Sequence, residues 1–355
     1  MIEELCVIRK KIDNIIKNDG FPNAVRPDFL REAVRDYPCR GGKRLRPALL
    51  VWSCGLLDGN IEKALLPAAA VEIYHNWTLV HDDIIDNDDF RRGVPTTHKL
   101  LESKAIESFG RAGGDCRKFG SDFAILAGDI MQGWAVDMLL KSSEKGVPAN
   151  VVLSLAREMQ TLVNRELISG EALDVEFSYK SIESISSDDV LEMIRMKTGV
   201  LLSFCAGAGT ALALESADMN DERIMALSKF ASLAGIAFQL RDDWLGVFGD
   251  EEKFGKPAGS DLREKKPTLL LMKTLENLSA SDKAELLSCL GQDNFSASVL
   301  ENARTLIRSS GAEAIVEKMA AAYTEEASSI LSGFSENKYR GFLFDFLNYM
   351  TGRKI

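Results

Sequence analysis

Apolar residues recur along this chain mostly at intervals of three and four, the spacing that lines a face of an α-helix, and long alternating β-branched runs are absent. The stretches 62–86, 121–143, 151–177, 187–214 and 221–248 all read as helices. Several exceed twenty residues and are apolar on more than one face, as expected of helices buried in a large bundle. The helical periodicity continues from Pro267 to the C-terminal end. The pattern predicts an all-α fold. The small-residue run "CAGAGTALA" (205–213) reads as filler for a tight core rather than as a surface for close helix contact.

One segment interrupts the pattern. "LESKAIESFGRAGGDCRKFG" (101–120) is polar, glycine-rich and mixed in charge between two strong helical repeats. It reads as an insertion, a long surface loop holding a short helix, or else as a lid or partner-binding element.

Composition narrows the function. The chain has 355 residues, 46% of them hydrophobic and 27% charged, and no Pro/Gly/Ser-rich linker divides it. A single domain over 1–355 is expected. The net charge of −10 argues against a general nucleic-acid binder, whose footprint would be basic. The six cysteines are scattered without CxxC pairs, so neither a zinc site nor a disulfide framework is expected. The N-terminal "MIEELCVIRKKIDN" carries acids and bases through its first turns, unlike a secretion signal. No apolar run is expected to approach the length of a membrane span. A reduced, cytoplasmic protein without a membrane span follows.

The chemistry gathers in "LVHDDIIDNDDFRRG" (79–93), where Asp82, Asp83, Asp86, Asp88 and Asp89 precede Arg91 and Arg92. Residues four apart share a helix face about 6 Å apart along the axis. Asp82 and Asp86 therefore project side by side, with His75 on roughly the same stripe. Paired carboxylates suit magnesium, which takes oxygen ligands, keeps several waters and binds through one or two carboxylates plus phosphates. Taken alone, this stretch reads equally well as a solvated acidic helix end. A second cluster, "FQLRDDWLG" (238–246), puts Gln239 and Asp242 on one face of another apolar helix with Asp243 beside them. Together the clusters predict a bundle cavity with metal-binding carboxylates on opposing walls.

Cations accompany the acids. "CRGGKRLRP" (39–47) joins two glycines to Lys43, Arg44 and Arg46 ahead of a predicted helix, an arrangement that suits phosphate. A basic surface turn would look the same. Lys197 and Thr198, Lys256 and Lys266, and the Arg91–Arg92 pair are further candidates for holding phosphate oxygens.

With these motifs in this order, the chain resembles the trans-isoprenyl diphosphate synthases, or polyprenyl synthetases, from about "GGKRLRP" to "KKPT" and more weakly to the C-terminus. "DDIIDNDDFRRG" is similar to that family's first aspartate-rich motif and "FQLRDDWLG" to its second. The resemblance implies an all-helical fold around a deep central cavity, usually as a homodimer. By position, Asp82, Asp86 and Asp242 would bind two or three magnesium ions, with Asp83 and Asp243 in support. Arg91, Lys197, Thr198, Gln239, Lys256 and Lys266 would hold an allylic diphosphate, Lys197 counting also among the catalytic residues. Lys43, Arg46, His75 and Arg92 would hold isopentenyl diphosphate. His81 and His98 read as structural, or as supporting the residues that touch substrate, rather than as catalytic.

The implied reaction breaks the allylic C–O bond, stabilises the charge developing on the diphosphate, and lets the isopentenyl double bond attack the carbocation. No covalent enzyme intermediate is needed. Three features depart from the resemblance: Gly246 stands where the second motif's third acid is expected, Glu171 where glutamine is common, and the 101–120 segment is longer than the usual connection between these helices. Trp77 and Thr78, just before Asp82, occupy the positions whose bulk would set product length. One tryptophan beside a threonine points to a C15 to C20 product, geranylgeranyl diphosphate (C20) being favoured, though Trp77 reads equally as a packing residue. The alternatives are a farnesyl or longer-chain synthase, a class I terpene cyclase, and a non-catalytic subunit of a heteromeric synthase. A cyclase would not need the isopentenyl diphosphate set, and a regulatory subunit could have lost acids that are all present here.

Overall fold

The computed structural model describes residues 1–110, 113–249, 259–292 and 295–352, and they are almost entirely helical. The strands among them are β1, Phe90–Arg91, and β2, Val94–Pro95, paired antiparallel. The all-α expectation holds. The chain divides into two compact units, Met1–Glu158 with Cys205–Ile224, and Met159–Phe204 with Met225–Ile355.

The first unit is built on α1 (Ile2–Asn18), α2 (Asp28–Cys39), α3 (Leu45–Leu56), α4 (Leu65–Ile85), α5 (Thr97–Phe109), α6 (Gly114–Leu140) and α7 (Ala149–Glu158). The alanine- and leucine-rich "LLPAAAVEIY" start of α4 forms helix readily, and its proline falls in the first turn, where no helical N–H is lost. Almost every residue of α3 is buried, and Trp52, Tyr74 and Trp134 are among the largest side chains closed off from solvent. Residues 205–214 of α10 (Val200–Leu214) complete this unit. A Cβ on Gly209 would press on the backbone of Leu50 and lie 3.0 Å from Cys54 N. The small residues of 205–213 therefore do more than fill space: glycine here lets α10 approach α3 backbone to backbone, which corrects the sequence expectation.

The 101–120 expectation also needs correcting, since its residues belong to two helices, α5 and the start of α6. Gly110 (φ 61°) ends α5 in the left-handed conformation and Gly113 (φ 81°) precedes α6, so these glycines punctuate helices. The polar residues are largely exposed. The apolar faces meet in a ring cluster: Phe109 and Phe119 lie 5.6 Å apart, each near Phe29, and Phe119 stacks on Phe123 at 4.3 Å.

The second unit contains α8 (Asn164–Tyr179), α9 (Ser187–Ile194), the start of α10, nearly all of α11 (Glu222–Phe248), and the C-terminal helices from Leu269–Asn277 to Lys338–Thr351. Its core joins Leu240, Leu262, Leu269, Leu270, Leu271, Leu286 and Ile307. A capping box starts α9: Ser186 accepts from Asp189 N while the Asp189 side chain accepts from Ser186 N. Arg195–Gly199, between α9 and α10, is a π turn, a distortion that often marks functional positions.

Two helical spans, Gly114–Lys145 and Ser187–Leu214, are long and apolar enough by composition to cross a bilayer, so the expectation that no run approaches that length does not hold. Core helices meet the same criterion. In Ser187–Leu214, 72% of the apolar window is buried within the protein.

Candidate active site

In the first unit the acids stand at the C-terminal end of α4, where the helix dipole disfavours negative charge. Their surroundings separate them. Asp83 is buried: the Tyr37 hydroxyl donates to it, and Arg91 Nε donates to its Oδ1 at 2.6 Å. Burial first, then Asp83, push the Tyr37 phenol above its ordinary value. Asp82 is half-buried and takes a longer contact from Arg91, 3.2 Å, while Asp86 is exposed at the helix end. Asp83 is thus a structural anion, and Asp82 and Asp86 are the acids turned toward solvent.

Arg91 and Arg92 reach this site on the β1–β2 hairpin. Its two-residue turn, Arg92–Gly93, has positive φ at both positions, 55° and 76°, the turn that matches strand twist. Gly42 has φ 155°, and a Cβ there would come within 3.1 Å of Arg92 Nη1. The backbone angle, more than this contact with a flexible guanidinium, calls for glycine here.

The basic turn itself divides by role. Arg44, left-handed at φ 53°, is turned inward and almost fully buried, donating to Glu72 (2.6 Å), Asp13 (2.8 Å) and the Pro38 carbonyl (2.7 Å). Arg46 Nη1 donates to His75 Nε2 at 3.1 Å, and its own Nε is buried without a hydrogen-bond partner. Burial, then Arg46, Arg91 and Arg92, hold His75 well below its ordinary value, so it is neutral and accepts through Nε2. Lys43 is exposed. Arg46, Arg91 and Arg92 therefore all bear electrostatically on His75, a gathering of guanidinium groups that suits a polyvalent anion.

Trp77 is buried, 4.8 Å from the Tyr74 ring and 6.0 Å from His81, while Thr78 donates to the His75 carbonyl at 2.8 Å. His81 lies against Gly128 of α6, 3.1 Å from the Ile125 carbonyl, and His98 is buried beside Thr96. Both histidines are in contact with neighbouring helices or turns.

In the second unit, α11 carries Gln239, Asp242 and Asp243. Gln239 donates to Asp243 at 2.8 Å and lies 3.5 Å from Thr198. Asp243 is buried, and that burial pushes its carboxyl up to about 7. Lys197, on the π turn, pairs with Asp174 (2.7 Å) and Glu171 (2.8 Å), and Lys266 lies 3.6 Å from Asp174. Burial raises the Asp174 carboxyl, but Lys266 and Lys197 outweigh it and hold the group below its usual value. Lys197, Thr198, Gln239, Asp243 and Lys266 line one small cavity of about 70 Å³. Gly170 makes the π turn's approach possible, because a Cβ there would lie 2.6 Å from Lys197 N.

Glu171, which departs from the family pattern, thus has a physical role: it shares Lys197 with Asp174. Sequence reasoning missed Asp174, although its i,i+3 spacing from Glu171 places both on one face of α8. It also missed Tyr37, for which no local signal exists. Lys256 lies outside the described residues. Among the described residues no three His, Cys, Asp or Glu side chains form a metal cage by themselves. The candidate donors are carboxylates, a set that suits a hard cation completing its shell with water and phosphate.

Comparison with known proteins agrees with this chemistry. The family model for polyprenyl synthetase matches residues 27–307. A geranylgeranyl diphosphate synthase of Saccharolobus solfataricus is 38% identical over 301 residues, 83% of this chain and 82% of the relative. The crystal structure of geranylgeranyl pyrophosphate synthetase from Pyrococcus horikoshii superposes with a TM-score of 0.85 at 33% identity, covering 99% of each chain. That of a geranylgeranyl pyrophosphate synthase from Corynebacterium glutamicum, complexed with isoprenyl diphosphate and magnesium, gives 0.83 at 31% identity, covering 99% of this chain and 98% of the other.

Proposed function

The chain belongs to the polyprenyl synthetase family and is a prenyltransferase that joins isopentenyl diphosphate to an allylic diphosphate, and from that premise we propose that its product is geranylgeranyl diphosphate. The observation that carries the reading of the site is the half-buried Arg46, its enclosed Nε without a hydrogen-bond partner, beside a neutral His75 and near Arg92. The acid that bears on Arg46, Glu72, is already paired with Arg44, and a diphosphate supplies the further negative charge. Lys43, Arg46, His75 and Arg92 hold isopentenyl diphosphate. A terpene cyclase would have no use for this set.

Asp82 and Asp86 on α4, and Asp242 on α11, are the magnesium ligands. Two or three magnesium ions, held by these residues, would supply positive charge that offsets the charge of the diphosphate. Asp83 fixes Arg91 rather than binding metal, and Asp243 fixes Gln239. Lys197 and Lys266 exchange their contacts with Asp174 and Glu171 for oxygens of the allylic diphosphate, with Thr198, Gln239 and Arg91 in the same role and Lys256 assigned by sequence alone. The allylic C–O bond then breaks, the isopentenyl double bond attacks the cation, and the departing pyrophosphate takes the proton. Apolar helix faces keep water from quenching the cation.

Trp77 sets the floor of the product cavity, with Thr78 too small to shorten it further. The exposed apolar side chains Ile106 and Phe109 of α5 and Ile125 and Leu126 of α6 support a homodimer. The free cysteines support a reducing, cytoplasmic setting.

The test is to incubate the protein with magnesium, dimethylallyl diphosphate and labelled isopentenyl diphosphate and size the products. A C20 product is expected. A C15 product, or one beyond C20, would overturn the Trp77 floor, and no elongation from any allylic starter would leave a non-catalytic subunit.

A further inference from the structure

The two aspartate clusters of this chain are not alike. Asp82 has an acid four residues on, Asp86, whereas Asp242 has Gly246. Four residues is the spacing that sets two side chains on one helix face, so α11 lacks the second carboxylate that α4 presents. The space is nonetheless filled. A Cβ built on Gly246 would lie 2.6 Å from Oδ2 and 3.4 Å from Cγ of Asp261, which comes from the short helix Ser260–Arg263. We propose that Asp261 supplies from this neighbouring segment the carboxylate missing at position 246, that it acts with Asp242 on the magnesium–diphosphate, and that residue 246 is glycine because any side chain there would displace it. The inference rests on reading Asp242 as a magnesium ligand.

Backbone bonds hold Asp261 in place. Gly259 N donates to the Gly246 carbonyl at 2.8 Å, fastening the start of the short helix to α11, and Lys266 N donates to the Asp261 carbonyl at 2.8 Å. The left-handed Gly259 (φ 78°) makes the turn into the helix. The half-buried Asp261 bears electrostatically on both Asp243 and Lys266, so its charge falls among the groups assigned to metal and diphosphate.

The experiment titrates magnesium calorimetrically into the full chain with inorganic pyrophosphate present, and measures elongation rates in parallel. Asp261→Asn is expected to weaken magnesium binding about tenfold or more, the loss usual when a group supporting a metal's ligands is removed. Gly246→Ala should weaken it similarly, although alanine favours the helix and should not lower the melting temperature. Gly246→Asp combined with Asp261→Asn returns the carboxylate to α11 and should recover most of the affinity. Wild-type binding by Asp261→Asn and Gly246→Ala, with binding lost in Asp242→Asn, would overturn the inference alone. So would a folded double variant that recovers nothing, because Asp261 would then be only structural. Wild-type binding and turnover in Asp242→Asn would overturn the reading of the second cluster, and the inference with it.

Discussion

Asp82 and Asp83 are adjacent in sequence, yet their environments give them opposite tasks. Asp83 is enclosed by Tyr37 and Arg91, and removing one partner of a buried charge pair costs about 3–5 kcal/mol. Asp83→Ala should therefore lower the melting temperature markedly, while Asp82→Ala should cut turnover by orders of magnitude with melting little changed. Equal melting temperatures would show that Asp83 is not structural.

Trp77 is open to a similar test. Trp77→Ala should lengthen the product beyond that of the wild type, at a stability cost of about 3–5 kcal/mol for a large buried aromatic. Unchanged product length in the folded variant would place the floor elsewhere.

The His75 imidazole is held low mainly by burial and then by Arg46. In the unfolded chain it titrates near about 6.5, so below that value the unfolded state binds the extra proton. The stability contributed by this group is complete above about pH 6.5 and is lost as pH falls. Urea unfolding free energies should decline between about pH 6.5 and pH 5, and His75→Asn should flatten that slope. An identical slope in the variant would mean that His75 is not kept neutral.

At the scale of elements, the periodicity that predicted helices was reliable because it is local: it depends on which residues face one side over a few turns. The 101–120 segment misled for a related reason. α5 and α6 expose polar residues near their junction, so the apolar stripe is thin there, and the pairing of Phe29, Phe109, Phe119 and Phe123 spans too much sequence to be visible as a period. The α3–α10 contact was hidden in the same way, since glycine spacing alone does not separate filler from close approach. Gly209→Val should force the helices apart and cost at least about 1–3 kcal/mol, the usual price of overpacking. A melting temperature equal to the wild type would show that the backbones can separate freely.

For the whole molecule, a ligand that binds only the folded state raises its stability, by about 2.7 kcal/mol at a hundredfold excess over Kd. Magnesium with inorganic pyrophosphate should raise the melting temperature of the full chain, EDTA should remove the rise, and Asp82→Ala and Asp242→Ala should each diminish it. A rise that survives in both variants would place the metal elsewhere.

The sequence by itself determined the helical class, the two acid clusters, the neighbouring cations and the family. Each of these depends on residue type at short spacing, which survives without knowledge of the fold. Tertiary structure decided how those residues are used. It turned Arg44 inward onto Asp13 and Glu72 while leaving Arg46 with His75, and it buried Asp83 but not Asp86. It also gave Lys197 to Asp174 and Glu171 and set Asp261 against Gly246. In each case the outcome depends on a partner distant in sequence or on the direction of a side chain, and a helical repeat specifies neither.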